Sequence, residues 1–276
     1  MNILYTLLLL ALVVFVHEYG HYFVMRRNGV KVIEFTIGFG PTLWSTKLKS
    51  GTMFKLKLLP LGGYTRPVAR KPGDTGEHPE GSIERATAWV KFKIYMAGMF
   101  FNVTTAFFAY LVFSYSTGKI PVVVIPILRA LHTPQILVPA ASAFIASFGL
   151  WLATPFLVVQ LIADGLTAFF SSASGPVGII AAGNEMIGSA RTPTSVAANM
   201  LFFFAWLNVA LAGFNLLPIF PLDGGRIFDM VFEKFDGTRA GRLIRQTYKI
   251  VCLSMIYALF ISLIVLDFVH LVRGTH

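Results

Sequence analysis

"VFVHEYGHYFVM", residues 14–25, sets two histidines and a glutamate inside an apolar run. An ionisable group in such surroundings costs several kcal/mol unless something pairs with it, and inside a bilayer it marks function by default. His17 and His21 are four apart, so on a helix they project from one face, one turn above each other, and can grip a single tetrahedral ion. A catalytic zinc takes three protein ligands and keeps a fourth position for water, whose pKa it lowers while polarising a substrate carbonyl. Glu18, offset by one position, is placed to accept that water's proton and pass it to a leaving amine. Read without a ligand, the same three residues would be buried at a cost that nothing in the run offsets.

The rest of the chain settles what surrounds this stretch. Of 276 residues, 55% are hydrophobic and 13% charged, against about 25% charged in a soluble domain. Runs 94–115, 140–163 and 196–222 carry no Lys or Arg and reach the roughly 20 residues that cross a bilayer. The run 3–25 reads as a retained transmembrane helix rather than a signal peptide, because it starts "MNIL", has no small-residue cleavage site and stays apolar to Met25. A slightly short run, 250–266, completes the set. The expected fold is an α-helical polytopic membrane protein, a single domain over 1–276 with about four transmembrane helices near 3–25, 94–115, 196–222 and 250–269.

The net charge of +10 points to membrane topology and not to nucleic acid. Nineteen of 23 Lys and Arg lie in two segments, thirteen in Arg26–Lys93 and six in Arg226–Lys249. That is the positive-inside pattern, and anionic lipid is a sufficient partner for the charge. With both basic loops cytoplasmic, the N-terminus lies outside and the stretch 119–190 contains an even number of crossings. The run 140–163 then lies along the outer leaflet or pairs with the proline-broken 120–139, and membrane-associated helices are the expectation there. Cys252, the lone cysteine, reads as a small buried side chain.

Between the first two spans the period changes. "TMFKLKLLPLGGY" alternates Phe54, Leu56 and Leu58 with Lys55 and Lys57, a strand with one wet face. "EFTIGFGPTLWSTKLKSG" is rich in β-formers and ends on a Ser50-Gly51 turn, so residues 31–65 should form a small β-hairpin or sheet on the cytoplasmic side. Residues 66–85, rich in Pro and Gly, read as a loop.

The best third ligand lies in "NVALAGFNLLPIFPLDGGRI". Asp223 and Glu185 are the two carboxylates between Asp164 and Asp229. Asp223 stands three residues before Arg226 and His21 five before Arg26, comparable depths on the same side. Pro218 and Pro221 remove backbone donors just before Asp223, and irregular backbone at that depth is tolerated where it lines a cavity. Alternatively, "PLDGG" is a helix-ending turn with Asp223 as a surface cap. Asn215 is placed to hydrogen-bond a substrate backbone or an oxyanion, or else to satisfy carbonyls freed at the break.

These residues resemble the site-2 protease family of intramembrane zinc metalloproteases, and within it the bacterial regulator-of-sigma-E protease subgroup. "HEYGH", "FTIGFGPTLW", "LPLGGY", "SGPVGI" and "NLLPIFPLDGG" follow one another in that family's order. The resemblance implies one Zn2+ per chain held by His17, His21 and Asp223, Glu18 as the catalytic carboxylate, and Asn215 as a substrate contact. It implies cleavage of membrane-anchored proteins within or near a transmembrane segment, in a bacterial inner membrane, with the active site near the cytoplasmic face. It implies also that the β-rich loop pairs with an extended substrate; an exposed edge at Thr52–Leu58 would serve, or the hairpin simply covers the site. Two features depart from the subgroup. The interval 118–173 is too short and apolar for the PDZ domains usual there, and Met99 stands in "AGMFFN" where a proline is expected, with Asn102 retained. The competing reading is a zinc-binding membrane scaffold or metal carrier, which needs the ligands but not Glu18.

Overall fold

The computed structural model describes residues 2–69, 77–120, 137–163 and 176–273. In chain order it contains α1 (Asn2–Arg27), β1 (Val32–Lys47), β2 (Met53–Pro67), a 3-10 turn at Ile83–Arg85, α2 (Ala88–Thr117), α3 (Val138–Phe144), a π turn at Ile145–Gly149, and α4 (Leu150–Ala163). Then follow α5 (Pro176–Gly188), α6 (Pro193–Leu216), α7 (Asp223–Glu233) and α8 (Arg239–Arg273). Among the described residues five helices are long and apolar enough to cross a membrane: Ile3–Arg27, Ala88–Thr117, Val138–Phe156, Pro193–Leu216 and Arg239–Val269. Four of these are the expected spans, and Val138–Phe156 is an additional one where a membrane-associated helix was expected. Residues 121–136 and 164–175, which bear on the crossings of that region, lie outside the described residues.

The chain divides into two compact units, Leu10–Asn102 and Met1–Leu9 with Val103–His276. In the first, α1 stops where its sequence stops supporting it. Arg26 and Arg27 occupy the last turn, where cations complement the helix dipole. Asn28 donates its side-chain amide to Val24 O at 2.7 Å, Gly29 takes φ 78°, and Val30 N returns to Met25 O at 2.9 Å, a left-handed C-cap that turns the chain into β1. Met25, Val30, Val32 and Ile94 form one buried cluster beneath this cap, and Val14, Phe35 and Ile37 form another against α1.

The sheet is more folded than a hairpin. β1 and β2 form a two-stranded antiparallel sheet turned at Ser50-Gly51, where Gly51 has φ 84°. Yet Phe35 opposes both Thr65 and Phe54, and Thr36 opposes both Tyr64 and Lys55. Phe54 in turn opposes Phe35 and Thr46, and Lys55 opposes Thr36 and Ser45. β1 doubles back on itself at Gly38 and Gly40, whose φ of 88° and 83° lie in the left-handed region that favours glycine. Residues 53–56 therefore run between two stretches of β1, so the expected open edge at Thr52–Leu58 is filled. Among the described residues the edges without a second strand partner are Thr42–Lys47, which pair with β2's first half, and Gly63–Pro67, which pair with β1's first half. A period-two reading of β2 could not see this, because the fold-back is set in β1.

In the second unit, residues of α2, α3, the π turn after it and α6 make a core cluster: Ala106, Ala109, Ala143, Ala146, Ala205 and Val209, with Tyr110. Trp151 of α4 donates its indole N–H to Ala212 O of α6 at 3.2 Å. α6 begins on a capping box, in which the Thr192 side chain accepts from Ser195 N and the Ser195 side chain accepts from Thr192 N, with Pro193 at its first position. It ends at Leu216, and the expected break at Pro218 and Pro221 follows before α7 opens on Asp223. Tyr248 of α8 steadies this break, its hydroxyl lying 3.0 Å from Pro218 O and 3.2 Å from Gly225 O. The last span starts earlier than hydropathy alone located it, since α8 runs from Arg239. Its basic first turns are helical and its apolar remainder leaves Tyr257, Phe260, Ile261, Ile264 and Phe268 exposed, as lipid-facing side chains are. Asp267, buried in the same helix, accepts from Val177 N at 2.9 Å and so caps the start of α5. Cys252 is buried, as expected.

Candidate metal centre

His17, Glu18 and His21 all lie on α1 and all are buried, at 7%, 8% and 7% exposure. The two imidazoles turn their Nε2 atoms towards each other, 3.3 Å apart. That separation is what two ligands of one tetrahedral ion would show, since bonds of about 2.05 Å place neighbouring ligands about 3.3 Å apart. His21 Nδ1 lies 2.7 Å from Ile94 O. The carbonyl can only accept, so Nδ1 carries the proton and the Nε2 lone pair is left for a metal. The donor set thus fits a zinc ion with respect to residue type, spacing and tautomer.

α2 closes this face at Gly98. A Cβ added there would stand 2.4 Å from His21 Nε2 and 2.7 Å from His17 Cε1, so the backbone of α2 is pressed against both rings and no side chain can intervene. Gly20 of α1 makes the reciprocal approach, since its added Cβ would meet Ala97 O at 2.6 Å.

Glu18 is held from the sheet. Thr65 Oγ1 lies 2.8 Å from Glu18 Oε2 and 3.1 Å from Glu18 O, and its single proton serves one or the other at a time. A Cβ on Gly63 would sit 3.1 Å from Glu18 Cγ, so the same edge of the sheet also packs on the stem of the side chain. One carboxylate oxygen is thereby anchored. Sequence reading missed Thr65 and Gly63; only the register of the folded-back sheet brings them to α1.

The sheet's own charge is balanced separately. Glu34, 4% exposed, takes Lys55 Nζ at 2.8 Å, Arg66 at 2.7 Å, Tyr64 Oη at 2.8 Å and Thr36 Oγ1 at 3.1 Å. Burial opposes its ionisation, but the hydrogen bonds from Lys55, Tyr64 and Thr36 together outweigh it and hold the carboxyl down to about 2.

Asp223 and Asn215 belong to the other unit. Asp223 is the first residue of α7 and is 8% exposed, so it is not the surface cap that the alternative reading required. Asn215, at the end of α6, donates its amide to Leu211 O at 2.9 Å, one turn back in its own helix. Asp229, further along α7, is ion-paired to Arg245 at 2.7 Å and Lys249 at 2.9 Å; burial opposes its ionisation, but those two partners outweigh it and hold its carboxyl below the ordinary range. It is thereby committed to joining α7 to α8.

Two histidines and a carboxylate on one membrane-spanning helix are the signature of a metal-dependent peptidase. The profile of peptidase family M50 matches residues 5–263, and the chain belongs to that family. It is accordingly an integral, multi-pass membrane protein. A protein of Clostridium perfringens is 26% identical over 301 residues, 83% of this chain and 87% of that protein. One of Thermotoga maritima is 38% identical over 120 residues, 43% of this chain and 24% of that protein. One of Helicobacter pylori strain J99 is 40% identical over 132 residues, 45% of this chain and 36% of that protein. Each of the three carries a name beginning "Putative zinc metalloprotease". In several such relatives the match spans only about a quarter of the relative's length, 24% in those of Vibrio cholerae and Thermotoga maritima.

Proposed function

We propose that this chain is an intramembrane zinc metalloendopeptidase, hydrolysing peptide bonds within or near the transmembrane segments of membrane-anchored proteins. The observation that carries the reading is the paired Nε2 atoms of His17 and His21, 3.3 Å apart on the same helical turn as the buried Glu18. His17, His21 and Asp223 hold one zinc ion per chain. When bound, that ion supplies a Lewis acid and an activated water. Glu18 accepts the proton that hydrolysis releases and returns it to the leaving amine, while Thr65 keeps its other oxygen fixed. His21, tied to Ile94 O, keeps its ring orientation through the cycle. Asn215 contacts the substrate once its amide leaves Leu211 O.

A substrate helix hides its amides in its own hydrogen bonds and must be drawn out before hydrolysis. The open edge Thr42–Lys47, with Leu43 and Trp44 exposed at 60% and 55%, is the strand to which such an extended segment adds. The chain lies in a bacterial inner membrane with its N-terminus outside and its active site towards the cytoplasm, in keeping with the thirteen cations of Arg26–Lys93.

Glu18→Gln separates this reading from a zinc scaffold or carrier. The variant, purified in detergent and given a helical test substrate, should retain its zinc and lose cleavage by about 10³-fold or more. Cleavage at the wild-type rate in that variant removes Glu18 from the chemistry and favours the carrier.

A further inference from the structure

α2 carries a buried amide that makes no hydrogen bond among the described residues. Asn102 is fully buried, and among the described residues neither its Nδ2 nor its Oδ1 has a hydrogen-bond partner. Among the described residues no other side chain has two such buried atoms. Asparagines elsewhere in the chain's long helices behave differently. Asn199 of α6 donates to Met186 O at 2.6 Å, and Asn208 and Asn215 of the same helix each turn the amide nitrogen back to the carbonyl four residues earlier, on Phe204 and Leu211, at 2.8 and 2.9 Å. For Asn102 that carbonyl would be Gly98 O, and its amide does not take it.

Gly98 is the residue whose missing side chain leaves room for both imidazoles. Asn102 follows it by one turn on the same helix face, and a helical side chain leans towards the N-terminus, over the turn before its own Cα. Helix geometry thus aims the carboxamide at the side of the site where His17 and His21 meet α2. A buried polar group left unsatisfied is destabilising, and in a native structure it calls for a ligand or a reaction that uses it.

We propose that Asn102 is a catalytic residue whose Nδ2 donates a hydrogen bond to the substrate carbonyl oxygen as negative charge develops there. This rests on the peptidase reading above. No bond is made or broken by Asn102: one N–H, idle in the resting protein, finds an acceptor when the scissile carbonyl arrives. A donor waiting in a dry site needs no reorganisation and discriminates in favour of the charged state, the general logic of an oxyanion hole.

The test is Asn102→Leu, nearly isosteric and apolar, with Asn102→Ala as the smaller replacement and Glu18→Gln alongside. Zinc per chain, melting temperature in detergent, kcat and KM on a helical substrate are read for each. Asn102→Leu should keep its zinc, melt at or above the wild-type temperature, and lose about 10²- to 10³-fold in kcat with KM within about threefold. Wild-type kcat in Asn102→Leu overturns the proposal. So does loss of zinc or a lowered melting temperature in both variants, because the amide would then be a structural partner. If Glu18→Gln stays active, the peptidase mechanism fails on its own, and the Asn102 variants still decide whether that residue takes part in the remaining turnover.

Discussion

His21 Nδ1 lies 2.7 Å from the carbonyl oxygen of Ile94, 73 residues away in the chain. That contact joins α1 to α2 and leaves Nε2 as the atom His21 offers to a metal. It requires the two backbones to be close, and at Gly98 the backbone of α2 lies against both imidazoles. Gly98→Ala would put a methyl 2.4 Å from His21 Nε2. Alanine is a better helix former than glycine by about 1 kcal/mol, so α2 itself is not weakened. The rings must give way instead, and zinc affinity should fall by at least about tenfold, read by competition with a chelator. Unchanged affinity would mean that the rings move together without losing the ion.

Thr65 donates to Glu18, and the proposed function makes it a positioning residue for that carboxylate. Thr65→Val keeps the β-branched shape and the strand pairing with Phe35 while removing the donor. Turnover of a helical substrate should drop about 10- to 100-fold at unchanged zinc content, with Thr65→Ser restoring most of it. Equal loss in the Val and Ser variants would assign the effect to packing.

The sequence made the helical His17-Glu18-His21 face legible because a fixed spacing carries it. It made the Ser50-Gly51 turn and the break at Pro218 and Pro221 legible because turn and breaker residues act locally. What it hid depends on pairing between distant segments. The fold-back of β1 turns on two left-handed glycines, Gly38 and Gly40, inside a run that otherwise alternates like a single strand. That fold-back moves the open edge away from Thr52–Leu58 and brings Thr65 to Glu18. The cluster around Glu34 was equally invisible, although Lys55 and Arg66 were read as wet-face and loop residues. Helix Val138–Phe156 was held back by charge parity, which weighs loops and not the helix itself.

Glu34 sets the pH dependence of the sheet. Its carboxyl is depressed from 4.5 to about 2 in the fold, so it binds fewer protons folded than unfolded. Its stabilising contribution is complete above about 4.5 and is lost as pH falls towards about 2. Amide protection across residues 32–67 should hold from pH 7 to 5 and decline below that. Glu34→Gln should lower the sheet's stability by about 2 kcal/mol at pH 7, a modest figure because Lys55 and Arg66 are partly exposed. Protection in the variant equal to wild type at pH 7 would show that the cluster contributes nothing.

Tyr248 braces the segment that leads to Asp223. Tyr248→Phe removes the hydroxyl and should cost about 1 kcal/mol, lowering the melting temperature by a few degrees. Faster hydrogen exchange should be confined to residues around 217–226. Exchange that rises across the whole of α6 and α8 would place the role of Tyr248 in general packing.

The most direct measurement is zinc per chain in the purified wild type beside His21→Ala and Asp223→Ala. The proposed function draws the ligands from two regions of the polypeptide some two hundred residues apart. The wild type should carry one zinc and each variant close to none. Full zinc in Asp223→Ala, with His21→Ala empty, would contradict the shared centre.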